Sequence, residues 1–175
     1  TERIVSAAIE VADHEGLEAV SLRGVSAKLG APVMSLYRHV RNKEELLALM
    51  ADAVFGEVPL PRASKGWRAT LEAAARAEWR LMRRHPWLAR LSAMNRPQPM
   101  ENAIRFTDFV LQALEATTLR EAEKLELHLV LHGFVQGLAV NLELEEHARS
   151  ESGVSDEEHV DRQAQAFASL AASGR

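Results

Sequence analysis

The 175-residue chain contains no cysteine, so disulfides, thiolate metal sites and a cysteine nucleophile are all excluded. It has one tyrosine and few aromatic residues of any kind. No stretch of about 18 consecutive apolar residues appears, and the N-terminal segment lacks the apolar core of a signal peptide, which points to a cytoplasmic protein. A more local absence is more informative. From Ala19 to Lys43 there is no Asp or Glu in 25 consecutive residues. Arg23, Lys28, Arg38, Arg41 and Lys43 fall in that window, although the whole chain has a net charge of −4 and a pI near 6.0. The acidic balance argues against a general polyanion binder and leaves room for one local basic surface.

What is present is helical. Ala, Leu, Glu and Arg dominate, and no run of alternating β-branched residues reads as a strand. Residues 2–15 carry Ile4, Val5, Ala8, Ile9, Val11 and Ala12 at helical spacing, with Gly16 as a stop. Ser21 caps a second helix, about 22–29, ending at Gly30. Pro32 suits the first turn of a third, about 32–38. Asn42 caps a fourth, from Lys43 to about Gly56, and Pro59 and Pro61 then break the chain. Helices are predicted at about 66–84, briefly after Pro86, at about 99–116, at about 119–148 and at about 155–172. The fold class is all-α. A three-helix domain occupies 1–45 and a second helical domain 46–175, linked by the helix at about 43–56.

Two short helices joined by "LGAP" form a helix-turn-helix, in which Val25, Leu29 and Leu36 pack the pair together. Composition alone leaves the cleared window open to two readings: a solvated basic face, or a face that meets phosphates. A carboxylate facing phosphates is repelled, and each Lys or Arg that neutralises one releases a counterion.

The pattern "VSAKLGAPVMSLYRHVRNKEELL" resembles the DNA-binding segment of the TetR family of bacterial repressors. The matching features are Val25, Leu29-Gly30, Leu36-Tyr37, His39-Val40, Lys43 and Glu45-Leu46. "GWRATLEAAARAEWRLMRRHPWLARL" and "HLVLHGFVQGLAVN" resemble parts of the tetracycline-repressor-like ligand domain. Ser26, Gly24 and Ala31-Pro32 depart from the family pattern. Gly24 inside the second helix costs about 1 kcal/mol relative to Ala unless a phosphate approaches it.

The resemblance implies a ligand-responsive repressor that binds palindromic operator DNA as a homodimer and is released by a small-molecule inducer. Carried over by position, Arg23 reads a base edge, with guanine the commonest partner of such an Arg. Val33, Met34 and Ser35 open the recognition helix toward the bases. Tyr37, His39 and Lys43 hold phosphates, and Arg38 and Arg41 reach the backbone. The family dimer is a bundle made by the long helix near residue 133 and a further helix beyond "AQAFASLAASGR".

In the second half, Gly133 and Gly137 are four residues apart on an apolar helix and allow a partner helix to approach closely. A ligand chamber between helices would draw on Trp79, Met82, Phe106, Phe109, His132 and Gln136, with Trp87, Met94 and His128 nearby; plain core packing explains the same residues. The positions where the resemblance implies polar tetracycline contacts read Ala74 or Ala75 and Ala93, so tetracycline is not the expected ligand. His128 and His132 have the spacing of metal ligands, but no Glu follows the first His and no third ligand is near, so neither metal nor cofactor is expected. An enzyme is the competing class, disfavoured by the lack of a Gly-rich phosphate loop or nucleophile elbow. A helical scaffold is the third, disfavoured by the cleared window. No membrane partner is expected.

Overall fold

Helix α1, Glu2–Glu15, forms because its apolar residues recur every three or four positions and bury one face: Ile4, Val5, Ala8, Val11 and Ala12 all point inward. The computed structural model describes residues 1–60, 66–91 and 100–152 and five isolated positions beyond, with the side chains of 145–152 outside the description. A 3-10 turn, Leu17–Ala19, follows α1. Then come α2 (Leu22–Leu29), α3 (Val33–Tyr37), α4 (Lys43–Gly56), α5 (Trp67–Arg84), α6 (Leu88–Leu91), α7 (Glu101–Leu114) and α8 (Glu121–Ser152). Among the described residues there is no strand.

The fold class is therefore all-α, with the three-helix head at the N-terminus. The bounds of α1, α2 and α4 match expectation; the others differ by one or two residues, except that α8 runs to Ser152, four past the expected end. Pro32 stands one position before α3 rather than in its first turn, with φ −59° and ψ 133°. The residues at 93 and 94, and nearly all of the helix expected at 155–172, lie outside the described residues.

Two compact units are seen, 1–140 and 141–175. Within the first, one core cluster joins α1, α2, α3 and α4 to Leu81, Met82, Trp87 and Leu88, and extends to Val135 and Ala139. A second cluster, Leu71, Ala74, Phe106, Val110 and Leu114, lies between α5 and α7. α4 is the element shared by both sides: it packs on α1, α6 and α7.

The α4–α7 contact is specific. Asp52 Oδ1 accepts from the Asn102 backbone N–H at 2.8 Å, placing a carboxylate at the N-terminus of α7, where helix N–H groups favour an anion. The Asn102 side chain donates back to the Asp52 carbonyl at 3.1 Å. A Cβ added at Gly56 would meet Asn102 side-chain atoms at 3.0 to 3.3 Å, so Gly is what lets the helices approach. The Phe55 and Phe106 rings pack 6.2 Å apart beside them.

Candidate nucleic-acid interface and ligand chamber

The head is built from local capping. Ser21 Oγ accepts from the Gly24 N–H at 3.0 Å and opens α2. Gly30, at φ 62°, closes it in the left-handed conformation, and the Ala31 N–H reaches back to the Ser26 carbonyl at 3.1 Å. Val25 and Leu36 are buried where α2 meets α3. Asn42 Oδ1 accepts from the Glu45 N–H at 2.8 Å, while Glu45 accepts from the Arg41 N–H at 2.6 Å, a reciprocal cap at the start of α4. Gly24 has a local reason: a Cβ there would lie 3.1 Å from the capping Ser21 Oγ.

The five basic residues of the window fall into two groups. Lys28 is paired with Glu10 of α1 at 3.0 Å, and Arg41 with Glu45 at 3.2 Å. The Arg41 hydrogen bonds hold the Glu45 carboxyl below the usual carboxylate range. Arg23, Arg38 and Lys43 have no ion-pair partner among the described residues. Arg23 and Arg38 are exposed; Lys43, the first residue of α4, is half-buried. Of the residues expected to face bases from α3, Met34 is the exposed one, at 71%. Val33 is half-buried against the core, and the half-buried Ser35 donates its hydroxyl to the Pro32 carbonyl at 2.6 Å. Tyr37 and His39 are exposed beside them. Met34 is largely outside the core on the five-residue α3, a position that suits contact with a partner.

The six residues expected around a ligand are distributed over α5, α7 and α8. Met82 is fully buried with Trp79 against it in the first core cluster, while Phe106 and Phe109 belong to the second. His132 and Gln136 tie α8 to the rest. Gln136 donates to the Ala89 carbonyl at 2.7 Å. His132 Nδ1 bonds Glu78 Oε1, both side chains buried. His128 Nε2 lies 3.1 Å from the Thr107 hydroxyl. Burial, and then the charge on His132, pushes the His128 pKa down to about 4, so His128 is neutral at neutral pH. No group of His, Asp or Glu suited to a metal occurs among the described residues.

Glu78 was missed in the sequence, although a signal exists: it stands on the buried stripe of α5, between Ala74 and Met82, where an apolar residue belongs. Also missed was the junction at the α5–α6 corner. There Asp13 of α1 accepts from Trp87 Nε1 at 2.7 Å and faces His85 Nδ1 at 2.7 Å.

α8 buries Lys124, His128, His132, Val135 and Ala139 on one side. Its other side exposes Leu129, Val130, Phe134 and Leu138, and the Cβ positions of Gly133 and Gly137 have nothing within 4 Å. Glu121–Leu144 is long and apolar enough to cross a membrane by composition, with a mean hydropathy of 1.2. The buried Lys124, His128 and His132 along it, bonded to Glu115, Thr107 and Glu78, mark it as a core helix with one uncovered face.

Residues 4–50 match the family described as bacterial regulatory proteins of the tetR family. Residues 60–175 match the tetracyclin repressor-like C-terminal domain. The chain belongs to the TetR family. Its TetR relatives include the HTH-type transcriptional repressor DrrR1 of Streptomyces coeruleorubidus, 39% identical over 176 residues, covering 99% of this chain and 65% of the relative. An HTH-type transcriptional regulator of Saccharopolyspora erythraea is 38% identical over 137 residues, covering 78% of this chain and 58% of that one. The chain thus spans somewhat less than two thirds of these relatives' length. Among solved structures, the TetR family protein ActR of Streptomyces coelicolor, in complex with actinorhodin, superposes with a TM-score of 0.74 at 31% identity, covering 85% of this chain and 68% of ActR.

Proposed function

We propose that this TetR-family chain is a cytoplasmic, ligand-responsive transcriptional repressor that binds palindromic operator DNA as a homodimer and is released by a small-molecule inducer. The observation that carries the reading is the fate of the cleared window: it folds into the helix-turn-helix and leaves Arg23, Arg38 and Lys43 without carboxylate partners among the described residues. Residues 1–45 act as the reading head and 46–175 as the ligand and dimer part. Arg23, Val33, Met34 and Ser35 face base edges; Tyr37, Arg38, His39 and Lys43 face phosphates. The uncovered face of α8 around Gly133 and Gly137 supports the dimer, because a contiguous apolar strip of this kind is rarely left in water.

The inducer part rests on ActR, which is 31% identical and is in complex with actinorhodin. Trp79, Met82, Phe106, Phe109, His132 and Gln136 are the proposed contacts. α4 carries the signal, since it begins at Lys43 beside the DNA and packs on α7 through Asp52, Phe55 and Gly56. Two recognition helices must sit about 34–36 Å apart to enter successive major grooves. A ligand that shifts α4 changes that spacing. A hundredfold release requires about 2.7 kcal/mol of preference for the non-DNA form.

Selection from a random duplex library at physiological salt tests the reading. The expected product is an inverted repeat with half-sites about one helical turn apart. Enrichment of an unsymmetrical motif, or of none, overturns it.

A further inference from the structure

Between the head and the helices behind it lies a cleft of about 600 Å³, apart from the residues proposed for the inducer. One wall is α1 and α4; the other is Arg84 and His85 at the α5–α6 corner, with Asn102 at the start of α7. Its volume falls within the ordinary range for small-molecule sites, about 300–1,000 Å³. Val5, Ile9, Leu49 and Ala53 give it an apolar floor.

Its charge is one-sided. Glu2, Glu10, Asp13, Asp52 and Glu57 line it, against Arg84. Glu10 is neutralised by Lys28 and Glu57 by Arg84, at 3.0 and 3.1 Å. Asp13 and Asp52 differ. Their hydrogen bonds come from the Trp87 indole, the His85 ring and Asn102, so they are held in place by groups that bring no fixed positive charge. Asp13 and Asp52 therefore face the cleft with no Lys or Arg partner among the described residues.

A second observation points the same way. His85 is 3% exposed, and its Nε2 has no hydrogen-bond partner. Nδ1 faces the Asp13 carboxylate at 2.7 Å, and in the tautomer that donates to that carboxylate Nε2 is an acceptor. It lies 3.5 Å from Glu57 Oε2, another acceptor of the same cleft, without bonding to it. A buried acceptor left unpaired costs free energy, and this edge lacks a donor.

We propose that this cleft is a second ligand site, for an organic ammonium cation with an apolar body. The ammonium N–H groups supply the donor that the His85–Glu57 edge lacks and the charge that Asp13 and Asp52 lack. The apolar body covers Val5, Ile9, Leu49 and Ala53. Because the walls belong to the head on one side and to the α5–α7 region on the other, occupancy is linked to the position of the head. Binding itself does not depend on the operator reading.

Three probes of similar shape and different charge test the site: phenethylamine, 2-phenylethanol and phenylacetate. Binding is followed through the Trp87 indole N–H signal in a nitrogen–proton spectrum, since that group bonds Asp13 directly. The amine is expected to shift this signal saturably and to bind at least about tenfold tighter than the alcohol or the acid. The double variant Asp13→Asn, Asp52→Asn keeps oxygen acceptors and removes both charges; it should lose at least about tenfold in amine affinity. Glu72→Gln with Glu126→Gln, two exposed positions outside the cleft, makes the same change in net charge and should leave binding unchanged. Equal affinity for the three probes, no saturable shift with the amine, or equal loss in both double variants overturns the proposal. If the Asp variant fails to fold, the order of the three probes on the wild-type chain still decides.

Discussion

At the residue scale, pairing separates cations that look equivalent in the sequence. Lys28 and Arg41 are each held by a carboxylate, whereas Arg23, Arg38 and Lys43 are not. Arg23→Ala is expected to cost about 1–3 kcal/mol of operator binding and to relax preference at one base pair. Lys43→Ala should weaken binding to every duplex alike and lower the salt slope by about one. Lys28→Ala, already neutralised by Glu10, should do markedly less than Lys43→Ala. Fluorescence anisotropy across a salt series measures all three, and equal effects at positions 28 and 43 would refute the division. A buried residue gives a second prediction. His128 has a folded pKa of about 4, below the 6.5 of an unfolded histidine. Between those values the unfolded chain binds the extra proton, so stability rises with pH across that window and is lost as pH falls through it. Urea midpoints at pH 5 and pH 7 should differ less for His128→Gln than for wild type. An unchanged difference would mean that other groups govern the acid limb.

At the element scale, the head was legible and the second half less so. Ser21, Gly30 and Asn42 act on residues within three to five positions, and local capping chemistry states where α2 and α4 begin and where α2 ends. The spacing also placed α1 and α5 to within a residue. What could not be read was any pairing across the fold. Glu78 meets His132 from 54 residues away, and Asp13 meets His85 from 72. Helical periodicity says which face is buried, not which face it meets. For the same reason the six chamber candidates read as one set, whereas packing divides Trp79 and Met82 from Phe106 and Phe109. α8 supplies the prediction at this scale. Since none of the described residues lies within 4 Å of a Cβ at Gly133 or Gly137, Leu at either position should leave the fold intact. It should convert the dimer to monomer in analytical ultracentrifugation. A variant that remains dimeric would move the interface off this face.

At the scale of the whole molecule, the proposed regulator combines a head with one basic window, a helix α4 that joins it to the core, and an exposed apolar face of α8 for a second copy. Substituting Trp79 or Phe106 conservatively should abolish response to a cognate inducer with operator affinity near normal; equal release of wild type and variants would place the chamber elsewhere. Two cations proposed to face phosphates, Arg38 and Lys43, in each of two heads predict a slope of log affinity on log salt of about −4. The most direct measurement of the central claim is a titration of a palindromic duplex recovered by selection against a scrambled duplex of the same composition at physiological salt. The account predicts two chains per palindrome and binding at least about a thousandfold tighter than to the scrambled duplex. Equal affinity for the two duplexes would contradict it.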